Sequence, residues 1–437
     1  LYTFLINKLP NILYIHSHDT GRYVQPYGFP VPTPNIQLLA DQGVLFRNAF
    51  CAAPTCSGSR ASLLTGQYCH NNGLLGLAHR GWELNDYGQH WVHPLREAGY
   101  RSVLIGEQLR GPGGDRLRRG DRGRQPPRRR HRPDRDRAPR RDAGALLHVG
   151  RLLRDPPHLP RPHLCPRHPL LAAAGEPAGH AETRADMAAF KASARSLDQG
   201  IGAVLNGLHQ CGLQDNTLII CTTDHGLAFP NAKATLYDRG IGVMLIMRGP
   251  GGFLGGRVFD GLVSHLDIYP TLCELAGIEQ PPFLQGTSLL PLVRGETAAI
   301  NDAVFAEMTY HAAYQPLRAV RTERFKYIRR FDDYDRPVLA ICDDSASKKI
   351  LMDAGWGDQH VPEEQLYDLL HDPNEANDLS GDPTRQDTLV ELRERLLEWM
   401  RATEDPLLTG PVPEPPGTWS NDPRQASPND PTSAAER

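Results

Sequence analysis

Thr217–Asp224 reads TLIICTTD, a run of β-branched and apolar residues that stops at Asp224-His225-Gly226. A run of that length and composition, closed by an acidic residue and a glycine, is a buried strand. Ahead of it, Leu197, Ile201, Val204, Leu205 and Leu208 fall at helical spacing on one face, and behind it Gly242–Met247 (GVMLIM) is a further apolar strand. The same alternation opens the chain. Asn11–His18 (NILYIHSH) is a strand bounded by Pro10 and Gly21. Thr33-Pro34 opens a helix with Ile36, Leu39 and Ala40 on one face and a stop at Gly43, and Ser102–Ile105 (SVLI) is another strand, ending at Gly106. Apolar strands alternating with amphipathic helices predict an α/β domain on a largely parallel sheet sandwiched by helices.

From about Ala319 the texture changes. Ala319–Val320 and Phe325–Ile328 read as half-buried strands of an antiparallel hairpin, and Leu389–Met400 (LVELRERLLEWM) as an amphipathic helix. This predicts a catalytic unit over 1–318 and a small α+β unit over 319–408. Residues 409–437, rich in Pro, Ser, Asn and Asp, form an expected disordered tail. The chain has 437 residues, enough for one large domain and a smaller one. No apolar run reaches the ~20 residues of a membrane span. Eight cysteines without a CxxC pair exclude a disulfide scaffold and a zinc module. The chain opens at Leu1, so no signal peptide is visible and the compartment stays unknown.

Residues 109–182 stand apart, with no Ile, Phe, Tyr, Trp, Met, Lys, Ser, Thr or Asn. Eighteen arginines face eight acidic residues there, a surplus of ten; with −3 overall, the rest of the chain carries −13. Three readings fit: a disordered basic linker, an Arg-rich nucleic-acid arm, and a GC-rich gene translated out of frame. The absence of lysine and of aromatics for base stacking counts against the second. The third has a check on paper. Codons for Arg151–Pro160 (RLLRDPPHLP) exist that, read one nucleotide later, spell GFFETHRTYP, an apolar strand ending in a Thr-His-Arg turn. The same shift turns Ala143–Gly150 (AGALLHVG) into RAPFFTSA and Asp115–Gly120 (DRLRRG) into TGYDEV.

The chemistry concentrates in Cys51–Gly66, CAAPTCSGSRASLLTG. Cys56 precedes Ser59-Arg60, where a helix beginning SRASLL is expected to start. A nucleophile placed there meets the positive end of the helix and unpaired N–H groups, which favour an anionic substrate. Arg60, one turn in, is placed to hold an anionic oxygen. Taken alone, the same residues describe a buried free cysteine and an N-capping serine. Asp19 and Asp224 each follow a predicted strand, at the carboxyl ends where open α/β sheets place their sites. Two carboxylates converging on an anion require a divalent cation between them.

The stretch resembles the signature of the sulfatase family, Cys-x-Pro-Ser-Arg followed by Leu-Thr-Gly. Cys56, Ser59, Arg60, Leu64, Thr65 and Gly66 match it, and Gly58 stands where the family has Pro or Ala. The resemblance implies an alkaline-phosphatase-like fold and hydrolysis of sulfuric esters or sulfamates, on sulfated sugars. It also implies that Cys56 is oxidised to formylglycine by a formylglycine-generating enzyme, and that one hydroxyl of the aldehyde hydrate attacks sulfur. By the same resemblance His18-Asp19 occupies the place of the family's metal-binding Asp-Asp, and Asp224-His225-Gly226 that of Asp-Asn-Gly. With Cys56 these form the expected metal set, for Ca2+ first or Mg2+ through the oxygen ligands, and for Mn2+ or another transition ion through the softer histidines. Lys233 matches the lysine that contacts the transferred sulfate.

The family's Gly-Lys-x-His element falls on Gly106-Glu107-Gln108-Leu109, without the lysine or the histidine, and a second histidine is expected near Pro156. Arg321–Tyr327, Glu364–Leu369 and Asp372–Glu375 are similar to the family's C-terminal subdomain. Asn48–Gly66 and the terminal helix with Glu404-Asp405-Pro406 are similar to its heparan N-sulfatase (sulfamidase) branch. His79, Arg80 and His311 are the candidates for contacts to the sugar. Three other functions remain open at this point: a phosphoesterase or phosphonate hydrolase of the same superfamily, an inactive sulfatase-like protein, and a nucleic-acid binder using the basic arm.

Overall fold

The computed structural model describes residues 9–105, the strand Ala145–Gly150 and residues 180–432. The N-terminal half supplies strands β1 (Asn11–Ser17), β2 (Val44–Phe50), β3 (Arg101–Ile105) and β4 (Ala145–Gly150). Beyond residue 180 come β5 (Thr217–Thr223), β6 (Leu245–Arg248) and β7 (Arg257–Ser264). Among the described residues these seven form one sheet in the order β3-β4-β1-β5-β6-β2-β7. All run parallel except β6, which is antiparallel to both neighbours, β5 and β2.

Successive strand residues alternate between two apolar layers, as a pleated sheet covered on both faces requires. Leu13, Ile15, Ile219 and Cys221 face helix α1 (Pro34–Gln42) and the long helix Ala181–Gln210 through Ile36, Leu39, Leu197 and Ile201. Ile12, Tyr14, Leu218 and Ile220 face the opposite layer, where Leu63 and Leu64 of helix α2 (Cys56–Thr65) pack with Tyr269 and Leu272 of the helix Ile268–Ala276. Asp198 of the long helix ties α1 down by accepting from Asn35 N and Ile36 N, both at 2.9 Å, two N–H groups that a helix start leaves without intrahelical partners.

A second, antiparallel sheet holds β8 (Ala303–Tyr310), β9 (Tyr314–Thr322), β10 (Phe325–Arg330) and β11 (Glu364–Asp368) in the order β11-β10-β9-β8. The helix Gln386–Ala402 packs on it through Leu389, Leu392, Leu396 and Met400. The sheet begins at Ala303, ahead of the change of texture at Ala319; β8 and β9 are both buried along nearly their whole length, so neither shows the alternation of a half-buried strand.

One expectation needs correction. The tail from residue 409, read as disordered, follows a defined path to residue 432: Tyr310 Oη donates to Val412 O at 2.8 Å, and Asn421 bridges to Ala313. Its polar residues fasten it by hydrogen bonds, which composition alone does not reveal. Within the anomalous stretch, Ala145–Gly150 form β4 between β3 and β1. Gly106-Glu107-Gln108-Leu109 and Pro156 lie outside the described residues. Among the described residues no helix is long and apolar enough to cross a membrane.

Candidate active site

β1 and β5 are paired neighbours with Ser17 opposite Thr223, so His18-Asp19 and Asp224-His225 leave the sheet side by side. Asp19 then takes a left-handed backbone, φ 55°, and its N–H donates to Asp224 Oδ1 at 3.0 Å. His18 Nδ1 lies 2.5 Å from Asp224 Oδ2, and His225 Nε2 lies 3.4 Å from Asp19 Oδ1. One ligand atom from each of His18, Asp19, Asp224 and His225 falls within 4.8 Å of the others. Asp19 Oδ1 and His225 Nε2 are buried without a hydrogen-bond partner among the described residues. Two facing, unsatisfied ligand atoms in a polar cradle suit a cation held by oxygen and imidazole donors. Cys56 does not fall within this group of four.

Cys56 arrives from β2 through Cys51–Thr55. The helix expected to start at Ser59 instead starts at Cys56 itself, with Thr55 in extended conformation before it and Ser59 N donating to Thr55 O at 2.8 Å. The thiol therefore sits in the first helical turn, where unpaired N–H groups and the helix dipole concentrate positive potential. Ser59 Oγ donates to the Asp224 carbonyl at 2.5 Å, which pins this turn to the end of β5. Arg60, one turn on, donates from Nη2 to Asp224 Oδ2 at 3.0 Å, and its Nε is buried without a partner among the described residues. Burial pushes the Cys56 thiol up, against the opposing pull of Lys233 and Arg60.

Lys233, which as a lone lysine reads as a surface residue, is buried: its Nζ lies 3.4 Å from Asp19 Oδ1 and 3.0 Å from Asp343 Oδ2. Burial works against its charge, but the two carboxylates outweigh that and hold the ammonium firmly protonated. Burial likewise opposes the Asp224 charge, yet His18, His225 and Arg60 keep that carboxyl well below the usual range. Asp19 is lowered in the same way, by His18, Lys233 and His225 acting against burial. The site is thus a buried concentration of alternating fixed charges.

The sugar candidates separate. His311 is buried beside Lys233 and Asp343, its Nδ1 has no partner among the described residues, and burial together with Lys233 lowers its imidazole to about 3. His79 is exposed at the rim, its pKa lowered by partial burial, Arg80 and Lys233. Arg80 turns away from the site. It is buried against the C-terminal segment, with Nη1 donating to Asn421 Oδ1 at 2.7 Å and its guanidinium 4.0 Å from the Trp419 ring centroid. Asp343 escaped the sequence reading: an aspartate pair before a serine carries no motif, and only the path of the chain brings it to Lys233.

Comparison with known proteins agrees with this geometry. The family model described as Sulfatase matches residues 10–113 and 155–278. A second, described as N-sulphoglucosamine sulphohydrolase, C-terminal, matches residues 225–347. The chain is similar to the N-sulphoglucosamine sulphohydrolase of Homo sapiens, at 27% identity over 87% of this chain and 88% of that one. It is similar to an ulvan-active sulfatase of Formosa agariphila, at 28% identity over 92% and 82% of the two chains. Among solved structures, a 2-O GAG sulfatase shares the fold with a TM-score of 0.69 and 21% identity, covering 96% of this chain and 98% of that one.

Proposed function

The chain belongs to the sulfatase family, and we propose that it releases sulfate from sulfated sugars at the site around Cys56, with N-sulfated glucosamine as the substrate class. The observation that carries the reading is the convergence of Cys56, Arg60, Lys233 and the His18-Asp19-Asp224-His225 cluster at the carboxyl end of one sheet. The N-sulfated substrate is favoured by the second family match over residues 225–347 and by the relative similar along most of the chain.

In this reading His18, Asp19, Asp224 and His225 would hold a divalent cation, Ca2+ first because the family resemblance implies it and two of the four donors are carboxylates. When bound, the cation offsets negative charge on the sulfuryl oxygens. A formylglycine-generating enzyme converts Cys56, whose aldehyde hydrate supplies the attacking oxygen. The chain's other residues do the remaining work. Lys233 and Arg60 present fixed positive charge where the sulfuryl oxygens accumulate negative charge, in a water-poor site where such charge acts strongly. The first turn of α2 directs its N–H groups toward the same anion. Asp343 keeps Lys233 protonated and aimed, and His311 borders the space on the sugar side.

The test is Cys56→Ala together with mass analysis of the peptide that carries Cys56. Protein co-produced with the generating enzyme is expected to contain formylglycine and to hydrolyse 4-nitrophenyl sulfate and glucosamine N-sulfate, and the variant to hydrolyse neither. Retained turnover by Cys56→Ala would remove the mechanism. A preference for 4-nitrophenyl phosphate would move the chain to the phosphoesterase and phosphonate-hydrolase branch, and release from O-sulfated sugars alone would reassign the substrate.

A further inference from the structure

Three residues around the site come from three distant loops: His79, His311 and Asp343. Each is the sequence neighbour of a residue bonded by one C-terminal segment. Beside His79, Arg80 donates from Nη1 to Asn421 Oδ1 at 2.7 Å and from Nη2 to Pro428 O at 3.2 Å. Beside His311, the Ala312 carbonyl accepts from Asn421 N at 2.6 Å and from Arg80 Nη1 at 2.8 Å. Beside Asp343, the Asp344 carboxylate accepts at Oδ2 from Ser427 Oγ at 2.5 Å and from Asn429 Nδ2 at 3.3 Å.

Asn421 is the hub. It is 2% exposed, and its amide group also donates to Gln425 Oε1 at 2.9 Å and Asp430 O at 3.2 Å. All three N–H donors of Asn421 and its amide oxygen are therefore committed to holding the segment in one shape. The segment lies directly on the His79 loop: Trp419 N donates to Arg80 O at 3.3 Å, and a Cβ on Gly81 would stand 2.5 Å from Gly417 O. On the Asp343 side, Lys348 Nζ completes the anchorage by bonding Asp344 Oδ1 at 3.0 Å and Cys342 O at 2.7 Å.

We propose that the segment from Gly417 to Pro431 determines substrate specificity, with Asn421 as a positioning residue that fixes His79, His311 and Asp343 around the sugar portion of the substrate. The inference rests on the reading of the site as one that desulfates sugars. The sulfuryl end is held by Arg60, Lys233 and the strand-end cluster, none of which bonds to the segment. The sugar end is bordered by residues from three loops, and productive contacts need them held to within about 0.5 Å. A single cross-link to all three supplies that registration. Loosening it withdraws binding from substrates that reach the rim and spares those too small to touch it.

The experiment uses the full chain carrying Asn421→Ala, and separately Ser427→Ala with Asn429→Ala, side chains near the surface whose removal detaches Asp344 from the segment and leaves it on Lys348 alone. Sulfate release is followed from glucosamine N-sulfate and from 4-nitrophenyl sulfate. For both variants KM for glucosamine N-sulfate is expected to rise about tenfold with kcat largely kept, so that kcat/KM for the sugar relative to the aryl probe falls by about the same factor. The surface pair is expected to melt within about 2 °C of the wild type, which separates positioning from unfolding. Parallel loss on both substrates, or no change on either, overturns the proposal. A wild-type protein that releases sulfate from the aryl probe but from no sugar overturns instead the reading on which it rests.

Discussion

Arg318→Met is expected to destabilise the protein by about 3–5 kcal/mol at pH 7.5, the range for breaking a fully buried ion pair by removing one partner. Arg318, on β9, is 0% exposed and forks onto Asp405, with Nε to Oδ2 at 2.5 Å and Nη2 to Oδ1 at 3.0 Å. Nη2 also lies 3.3 Å from Glu307 Oε2, and Nη1 donates to the carbonyls of Met308 and Leu317 at 3.0 and 2.9 Å. Methionine fills much of the volume but leaves both carboxylates buried with less countercharge. At roughly 2 °C per kcal/mol the melting temperature should fall by about 6–10 °C. The pH dependence makes the reasoning specific. Burial opposes the Glu307 charge, but His70 and Arg318 outweigh it and hold the carboxyl at about 2, against an ordinary value near 4.5. Its contribution to stability is therefore complete above pH 4.5 and is lost as pH falls toward 2. Without Arg318 the folded-state value rises, that contribution shrinks, and the deficit of the variant narrows as the buffer is taken from pH 7.5 to pH 4. Melting scans of both proteins at both pH values decide the matter. A deficit below 1 kcal/mol, or one that is the same at both pH values, refutes the argument that charge rather than packing is lost.

Restoring the family residue by Gly58→Ala is expected to destabilise, because a Cβ there meets Thr55 Oγ1 at 2.8 Å, Cys69 Sγ at 3.0 Å and Ala53 Cβ at 3.2 Å. Overpacking of about 1–3 kcal/mol exceeds the ~1 kcal/mol that alanine gains over glycine in a helix. Adding Cys69→Ala should recover part of the loss in urea unfolding, and no recovery rejects the sulfur contact. Ca2+ at a hundred times its dissociation constant should stabilise the wild type by about 2.7 kcal/mol, since binding to the folded state alone raises stability. Asp19→Asn should abolish that thermal shift, and a wild-type melting temperature indifferent to Ca2+ and to chelator contradicts the assignment of the cluster. Sequencing the transcript from codon 105 to codon 185 is expected to show a frame displaced by one nucleotide, and an unbroken printed frame rejects that reading.

The strands that carry the site were legible because β1 and β5 are buried on both faces, and a strand so placed must be an unbroken apolar run. Their adjacency was not legible. That Asp19 and Asp224 share one cradle depends on β1 pairing with β5 across two hundred residues of chain, and on β6 running antiparallel, neither of which local pattern encodes. The start of α2 was misplaced for a chemical reason. Ser59, directly ahead of the apolar run, reads as the capping residue, yet its hydroxyl is spent on the Asp224 carbonyl and Thr55 stands at the helix boundary without a side-chain cap. The residues around the substrate space were the least legible. Arg80, an apparent anion contact beside His79, is consumed by Asn421 and Trp419, while Asp343, without any motif, reaches Lys233. In each case the deciding partner lies hundreds of residues away or in a tail whose composition resembles disorder. Proline, asparagine and aspartate mark chains that do not bury apolar surface, but asparagine and aspartate side chains satisfy backbone N–H groups when a scaffold is at hand, as Asp430 does for Ala426 and Ser427. Composition therefore reports how a segment is not held, by apolar packing, and is silent on whether hydrogen bonds to an existing domain hold it instead.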